Sequence, residues 1–377
     1  MRIEHRLRDA AREEMVRVGQ EDLRPLELPR HRSRPSWRRL VPAVAVPAAV
    51  ALTLVFAHLP GREANPPPLS GGDGPPYFVT LPAGAATAGA AVHDAVTGRK
   101  TAEIPARGGY AQVAAAGDRR TFFLAEDEGP RCSVRVDRVR LAGDGTVAAR
   151  SAVPGRFPFD VTAGRMAVSE DGERLAFGGG VSMRSVPQID ERDCGQPNGI
   201  TVVETRSGAR RVWKVPPNPE YEPVENASPW WGADGRTLYF LAAFADSAVE
   251  VMALDTRAGG SDLATAADVV FPARWGEMKA TGLLHATPDG RTFTVVVCDR
   301  RERCGVEDVA AFTGRRVRRV AALPPADWTL VSPDATGRHM IALIAPGEDE
   351  RIIAGRIDDG YFRRLKDYSG DAGAAAW

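Results

Sequence analysis

The sequence predicts an all-β domain, a six-bladed β-propeller, that follows one membrane-spanning helix and a short polar head. Three observations lead to this expectation. An aspartate-containing turn followed by an apolar strand recurs five times after Tyr77, and a second strand–turn–strand element recurs six times. Residues 40–59 are almost all apolar. No run between the turns shows the sustained helical periodicity of an amphipathic helix.

Composition excludes one class of partner and favours many turns. The chain has 377 residues, of which 44% are apolar, which is ordinary for a protein with a buried core. Lys+Arg and Asp+Glu both number 49, so no overall charge attracts nucleic acid and we expect no nucleic-acid partner. The 38 glycines and 29 prolines favour turns and argue against a helical bundle.

Residues 1–39 are polar and arginine-rich, and we expect them to form a short cytoplasmic head without a packed core. Just before the apolar stretch the charge becomes one-sided, since no acid occurs until Glu63. The arginines of this cluster are Arg30, Arg32, Arg34, Arg38 and Arg39.

Residues Leu40–Leu59 predict a transmembrane helix, interrupted only by Thr53 and His58. A helix of this length spans about 30 Å, the thickness of a hydrocarbon core. Five arginines precede the span and only Arg62 follows closely, which places the N-terminus in the cytoplasm. The sequence therefore predicts a single-pass protein of the cell membrane whose C-terminal domain is extracellular.

The competing interpretation of this stretch is a secretory signal peptide. The polar leader, the full-length span and the lack of a convincing A-x-A site argue against it. No cysteine precedes Cys132, which excludes a lipoprotein anchor. Residues Pro60–Pro76 predict an extended proline- and glycine-rich linker to the propeller, which we place at residues 77–377.

The repeated turns predict four-stranded blades arranged radially. In the first element a small-residue run leads to a turn, usually Asp-Gly, and then to an apolar strand, as in Ser-Glu-Asp-Gly before Arg174-Leu-Ala-Phe. Glycine suits such turns because it adopts positive φ without strain. The aspartates of these turns are Asp118, Asp171, Asp234, Asp289 and Asp334.

The repeat count predicts how the ring closes. The first blade (Tyr77–Leu81, Gly89–Val96 and Lys100–Ile104) lacks the innermost strand that precedes the aspartate turn elsewhere. Residues Gly373–Trp377 look like that strand. Its insertion would remove open sheet edges that otherwise invite aggregation.

Several segments carry a resemblance to known propellers. Trp231-Gly-Ala-Asp-Gly-Arg-Thr-Leu-Tyr-Phe and Thr287-Pro-Asp-Gly-Arg-Thr resemble TolB-like and WD-repeat-like propellers. The whole layout resembles the membrane-anchored propeller proteins of actinomycetes, with an arginine-rich head, one span, a proline linker and a small-residue–Trp tail. The Trp-Asp and Gly-His signatures of WD repeats are absent. The resemblance implies a fold and a topology, but no activity.

All four cysteines lie on the predicted outer side of the membrane, where an even number favours disulfides. Each follows a strand that comes after an aspartate turn, so all should lie on one face of the propeller. Cys298 and Cys304 flank one hairpin and can pair locally, while Cys132 and Cys194 occupy equivalent loops of consecutive blades. The alternative is a zinc site, but paired C-x-x-C spacing is missing.

A search for catalytic residues yields none, and we predict no cofactor or metal site. His93, His285 and His339 lie in or beside strand repeats, which favours packing roles. There is no H-E-x-x-H, phosphate-binding glycine–lysine loop or G-x-S-x-G motif. Trp213 and the Trp230-Trp231 pair are interpreted as core.

Three hypotheses of function follow. The leading one is a membrane-tethered binding or sensory module whose propeller recognises a protein, peptide or cell-wall ligand. The second is a transmembrane regulator that signals through the cytoplasmic head. The third is a propeller hydrolase or lyase with a metal in its central channel. The inner strands do not offer the converging carboxylates and histidines that such a metal needs, which favours a non-enzymatic role.

Overall fold

The computed structural model describes residues 74–83, 89–128, 133–158, 165–179, 199–214, 229–243, 249–272, 274–275, 278–287, 290–299, 301, 303–323, 328–334, 336–345, 351–357, 361–368 and 372–377. The predicted head, the predicted span and nearly all of the linker lie outside these residues. Among the residues described, no helix is long and apolar enough to cross a membrane.

The described residues form strands and one short helix. In chain order the elements are β1 (Tyr77–Pro82), β2 (Ala90–Asp94), β3 (Lys100–Ile104), β4 (Tyr110–Ala115), β5 (Thr121–Asp127), β6 (Ser133–Leu141), β7 (Val147–Ala152), β8 (Phe157–Pro158), β9 (Arg165–Val168), β10 (Arg174–Gly179), β11 (Gly199–Glu204), β12 (Arg210–Lys214), β13 (Trp230–Trp231), β14 (Thr237–Ala243), β15 (Val249–Asp255), α1 (Leu263–Ala266), β16 (Ala267–Pro272), β17 (Arg274–Trp275), β18 (Met278–Ala286), β19 (Thr292–Cys298), β20 (Cys304–Ala310), β21 (Arg316–Ala322), β22 (Trp328–Pro333), β23 (His339–Ala345), β24 (Arg351–Arg356), β25 (Tyr361–Arg364) and β26 (Ala372–Ala376).

Six antiparallel sheets form the six blades, which confirms the predicted all-β, six-bladed propeller. Blade 1 is ordered β26-β1-β2-β3 from the innermost strand outwards, and blade 2 is β4-β5-β6-β7, with β8 paired to β6. Blades 3, 4, 5 and 6 are β9 to β12, β13 to β16, β17 to β21 and β22 to β25. The inner strand of each blade, β18 in the case of blade 5, contacts that of the next, so the ring is continuous.

Six apolar clusters hold the blades together, one at each junction between neighbours. Between blades 2 and 3, for example, Phe123 packs with Leu175 and Phe177. The second strand of a blade is buried on both sides, because it lies between two neighbouring sheets. For this reason β5 is an almost continuous apolar run rather than an alternating one.

The last strand completes the first blade. β26 pairs antiparallel with β1, so that Val79 lies opposite Ala376 and Leu81 opposite Ala374. Trp377 is buried against blade 6, and its Nε1 donates to the Pro75 carbonyl at 3.3 Å. Two segments far apart in the chain thus build one sheet.

The two faces of the ring differ in their connections. We call the side on which the inner strands of blades 2 to 6 turn into the second strands, and the third strands into the fourth, the lower face. The opposite side, where one blade leads to the next and the second strand leads to the third, is the upper face. Neighbouring lower-face turns touch each other, since the Gly117 amide donates to the Glu170 carbonyl at 2.8 Å.

Candidate functional site

The repeat aspartates close the lower-face turns. Asp118 accepts hydrogen bonds from the amide and the hydroxyl of Thr121, at 2.7 and 2.6 Å, and Asp234 does the same with Thr237. Asp171 accepts from the Ser169 hydroxyl and the Glu173 amide. These carboxylates are used within their own turns, while Asp289 lies outside the described residues.

Asp334 is the most buried of the described turn aspartates, with 1% of its surface exposed. It accepts from the Arg338 and His339 amides, from the Thr336 hydroxyl and from the His339 ring. Burial alone would raise the pKa of Asp334, but the hydrogen bonds from His339 and Thr336 lower it overall. The His339 ring packs edge-on against Trp377, so this turn also supports the closing strand.

The predicted disulfide between Cys298 and Cys304 is confirmed. It joins the ends of β19 and β20 on the upper face, with a Cα–Cα distance of 4.1 Å. Within the hairpin, Asp299 accepts from the Arg303 guanidinium at 2.7 Å. Cys132 and Cys194 lie outside the described residues, so their predicted pairing stays a prediction.

The described residues contain no cluster of three or more His, Cys, Asp or Glu that could hold a metal ion. His93 and His339 are buried, with 7% and 2% of their surface exposed. His93 bonds to the Thr80 hydroxyl at 3.0 Å and the Gly98 carbonyl at 3.1 Å. Trp213 and Trp231 are buried in the junction between blades 3 and 4.

A polar cleft opens on the upper face at the outer side of blade 2, with a volume of about 490 Å³. Three stretches of chain meet there: the connection from β3 to β4, the first half of β6, and the end of β7. Its lining consists of Pro105, Ala106, Arg107, Arg135, Asp137, Arg150, Ser151 and Ala152. Three of these eight residues are arginines, against a single acid.

The cleft exists because the outer strand of blade 2 is interrupted. β7 pairs with β6 from Leu141 to Asp137, and β8 takes over at Val134 and Ser133. Arg135 lies between these two registers, where no described outer strand pairs with it. The break in pairing therefore produces the recess in which Arg135 lies.

Asp137 anchors one side of the cleft. This buried carboxylate accepts from the Tyr110 hydroxyl at 2.9 Å and from Nη2 and Nε of Arg150 at 2.6 and 3.1 Å. Arg150 Nη1 donates to the Pro105 carbonyl at 2.7 Å. Burial, followed by the hydrogen bond to Asp137, raises the pKa of Tyr110, which keeps its hydroxyl protonated as a donor.

Glu126 anchors the other side. Its Oε1 accepts from the Arg107 and Gly108 amides at 2.7 and 2.6 Å, and its other oxygen pairs with Arg135 Nη2. Only 4% of Glu126 is exposed. The carboxylate fixes both the loop that carries Arg107 and the guanidinium of Arg135.

The two acids are thus used internally, while the guanidinium of Arg107 remains available. Arg135 Nε is buried and has no hydrogen-bond partner among the described residues. Arg107 is exposed, and among the described residues only its backbone amide forms a hydrogen bond. Three arginines against Glu126 and Asp137 leave a net positive charge of one. An exposed guanidinium beside this charge can bind a carboxylate or a phosphate.

Sequence reasoning missed this cleft. The alternation Ser-Val-Arg-Val-Asp-Arg-Val-Arg-Leu in β6 resembles an ordinary half-exposed strand. The one signal was an aspartate among arginines at a position that alternation places on the buried side. Its partners come from residues 13 and 27 positions away, which local patterns do not reveal.

No protein-family model and no curated protein matches this sequence. Solved structures do resemble it. TolB from Acinetobacter baumannii aligns over 80% of this chain and 65% of its own, with a TM-score of 0.54 and 13% identity. A TolB-like protein from Agrobacterium tumefaciens, described as putative TolB, aligns over 79% of this chain and 90% of its own, with a TM-score of 0.46 and 16% identity. The chain thus spans slightly less than two thirds of the Acinetobacter protein. At these identities the likeness concerns the fold alone: the domain is a TolB-like six-bladed β-propeller.

Proposed function

We propose that this protein is a membrane-tethered, extracytoplasmic binding module, which recognises a protein, peptide or cell-wall ligand through the upper face of its propeller. The observation that carries the proposal is the upper-face cleft of blade 2. Arg135 and Arg150 are held in place by buried acids, and Glu126 also fixes the backbone of the loop that carries the exposed Arg107. Charged groups and a loop held in this way on a rigid scaffold lower the cost of ordering a binding site.

The lower face supports the proposal by contrast. The carboxylates of its described repeat turns are bonded to their own turns or to adjacent side chains. They hold strand ends together, so these carboxylates are already used within the protein. Binding through the upper face is therefore the better-supported alternative.

Separate observations support the proposed membrane anchor and the proposed extracytoplasmic location of the propeller. Residues 40–59 are long and apolar enough to span a bilayer, and the arginines before them favour an N-terminus in the cytoplasm. The Cys298–Cys304 disulfide is expected in an oxidising, extracytoplasmic compartment.

Capture by the full chain tests the binding proposal. The detergent-solubilised protein is immobilised and exposed to an extract of cell-surface protein and wall fragments from the source cells. We expect the Arg107→Glu variant to lose captured material. The control is Arg206→Glu, which changes a 92% exposed side chain on the lower face and should retain capture. Loss with Arg206→Glu and retention with Arg107→Glu would contradict upper-face binding.

Labelling in intact cells tests the topology. A Ser207→Cys variant places a thiol on an exposed lower-face turn. We expect a membrane-impermeant maleimide to label it in intact cells to the same extent as in lysed cells. Labelling that requires lysis would show that the propeller lies in the cytoplasm.

A further inference from the structure

The outermost strand of blade 2 is unusually open. All six residues of β7 are exposed, from Val147 to Ala152. Among the other outermost strands of the described part of the chain, β3, β12, β16 and β21 each contain buried or half-buried positions. Among the described residues β7 pairs only with β6, so no described strand covers its other edge.

The open edge leads directly into the arginine cleft. Ser151 and Ala152, the last residues of β7, form part of the cleft lining. A peptide that pairs with β7 as an added strand would therefore bring one of its ends to Arg135 and Arg107. Main-chain pairing supplies affinity in such strand addition, and a pocket at the end of the strand supplies specificity.

The charges of the cleft select a negative group. Asp137 and Glu126 are already occupied by Tyr110, Arg150 and Arg135. An incoming cation would meet three arginines, whereas a carboxylate would find the exposed Arg107 guanidinium. The planar guanidinium fork matches a carboxylate in geometry as well as in charge.

We propose that the edge of β7 and the arginine cleft together bind an extended peptide segment that ends in a free C-terminal carboxylate. This deepens the upper-face binding proposed above and rests on it. An acidic saccharide would supply the same carboxylate, but the β7 edge has no role for it. The cleft lining also contains no aromatic ring on which a sugar could stack.

Binding of a defined peptide pool tests the proposal. Fluorescent random hexapeptides with a free C-terminus are titrated against the solubilised full chain, beside the same pool amidated at the C-terminus. We expect amidation to weaken binding by about tenfold or more, because it removes charge-assisted hydrogen bonds. Methylation of alternate peptide nitrogens should weaken it comparably, because it removes main-chain donors. Equal binding of acid and amide overturns the carboxylate, and insensitivity to methylation overturns the strand pairing.

Two variants test whether the peptide binds at the arginine cleft and the adjoining end of β7. Arg107→Ala removes an exposed guanidinium and should weaken the binding of the free-acid peptides by about tenfold. Ser151→Trp fills the cleft from an exposed position and should abolish binding. Both positions are exposed, so we expect both variants to melt close to the parent, and Arg206→Ala on the lower face is the matched control. Unchanged binding by Arg107→Ala and Ser151→Trp overturns the site.

Titration with oligogalacturonate, an acidic saccharide, distinguishes a saccharide carboxylate from a peptide carboxylate as the bound group. If the saccharide binds and the free-acid peptides do not, the peptide proposal is wrong. If neither probe binds, it is also wrong, but surface-extract capture that still depends on Arg107 would leave the upper-face binding function standing.

Discussion

The two faces of this propeller are built from the ends of the same strands, yet they are held by different interactions. On the lower face, the aspartates of the repeat turns bond to residues two to five positions away, as between Asp118 and Thr121. On the upper face of blade 2, Asp137 and Glu126 bond to residues 9 to 27 positions away. Local, repeated contacts close the lower-face turns, whereas the upper cleft depends on longer-range contacts made once. From this difference we propose that the lower-face turns serve stability and that the upper cleft serves recognition.

Removal of the closing strand should give the largest effect. Deletion of residues 372–377 unpairs the inner edge of β1 and exposes the cavity that the buried Trp377 fills. The strand and this side chain contribute several kcal/mol to a domain whose total stability is about 5–15 kcal/mol. We expect the melting temperature to fall by about 10 °C or more, measured by circular dichroism. Melting within about two degrees of the parent would show that the strand does not close the ring.

The next largest effect should come from the most buried turn on the lower face. Asp334→Ala leaves the Thr336 hydroxyl and the His339 amide and ring without their acceptor. We expect a loss of about 3 kcal/mol in the free energy of unfolding, measured by urea denaturation. Asp118→Ala, in an exposed turn with similar bonds, should cost only about 1 kcal/mol. The folded Asp334→Ala protein should still bind its ligand, and loss of binding without loss of stability would break the comparison.

Low pH should destabilise the domain because His93, in the lower part of blade 1, is buried. Burial lowers the pKa of His93 below its ordinary value of 6.5, and the hydrogen bond to the Gly98 carbonyl only partly opposes this. Because the unfolded chain takes up the proton more readily, stability is complete above the unfolded pKa and is lost as the pH falls below it. We expect the melting temperature to fall by a few degrees between pH 7.5 and 5.5. The decrease should be smaller in His93→Gln, and equal slopes in the two proteins would exclude His93 as the cause.

The smallest expected effect is an increase in stability. In blades 3 and 4 the residue after the turn aspartate is a glycine with φ of 69° and 56°, Gly172 and Gly235. In blade 2 this place is taken by Arg119, with φ of 61°. A side chain in this left-handed region costs about 1 kcal/mol, so Arg119→Gly should raise the stability by about that amount. Gly172→Ala should lower it, since its Cβ would lie 3.3 Å from Ala116. A destabilised Arg119→Gly protein would mean that the Arg119 side chain contributes contacts to the turn.

The sequence predicts the features that rest on local, repeated contacts and misses those that rest on longer-range contacts. Five of the six blades could be predicted because each contains its own local signal, a turn aspartate before an apolar strand. The Cys298–Cys304 pair was predictable for the same reason, since only five residues separate the two cysteines. Blade 1, whose inner strand comes from the C-terminus, was predicted from the second repeated element and the count of repeats. The closing strand was predicted from the count of repeats. The sequence predicts it at Gly373–Trp377, and in the structure Ala372–Ala376 form the strand that pairs with β1.

The cleft was not predictable because nothing local marks it. The break between β7 and β8 opposite Arg135 depends on where two strands pair, not on the residue itself. Arg107, Arg135 and Arg150 belong to three separate stretches of a chain in which arginine is common. Only the folded sheet brings their guanidinium groups to one recess.

Hydrogen exchange of the full chain, with and without the captured surface ligand, tests whether recognition takes place at the upper face. We expect bound ligand to protect the amides of residues 105–108 and of β7, both at the upper face of blade 2. The lower-face turns at residues 116–121 and 232–237 should exchange at the same rate in both states. Protection confined to those turns, with none at residues 105–108 or β7, would contradict the assignment of recognition to the upper face.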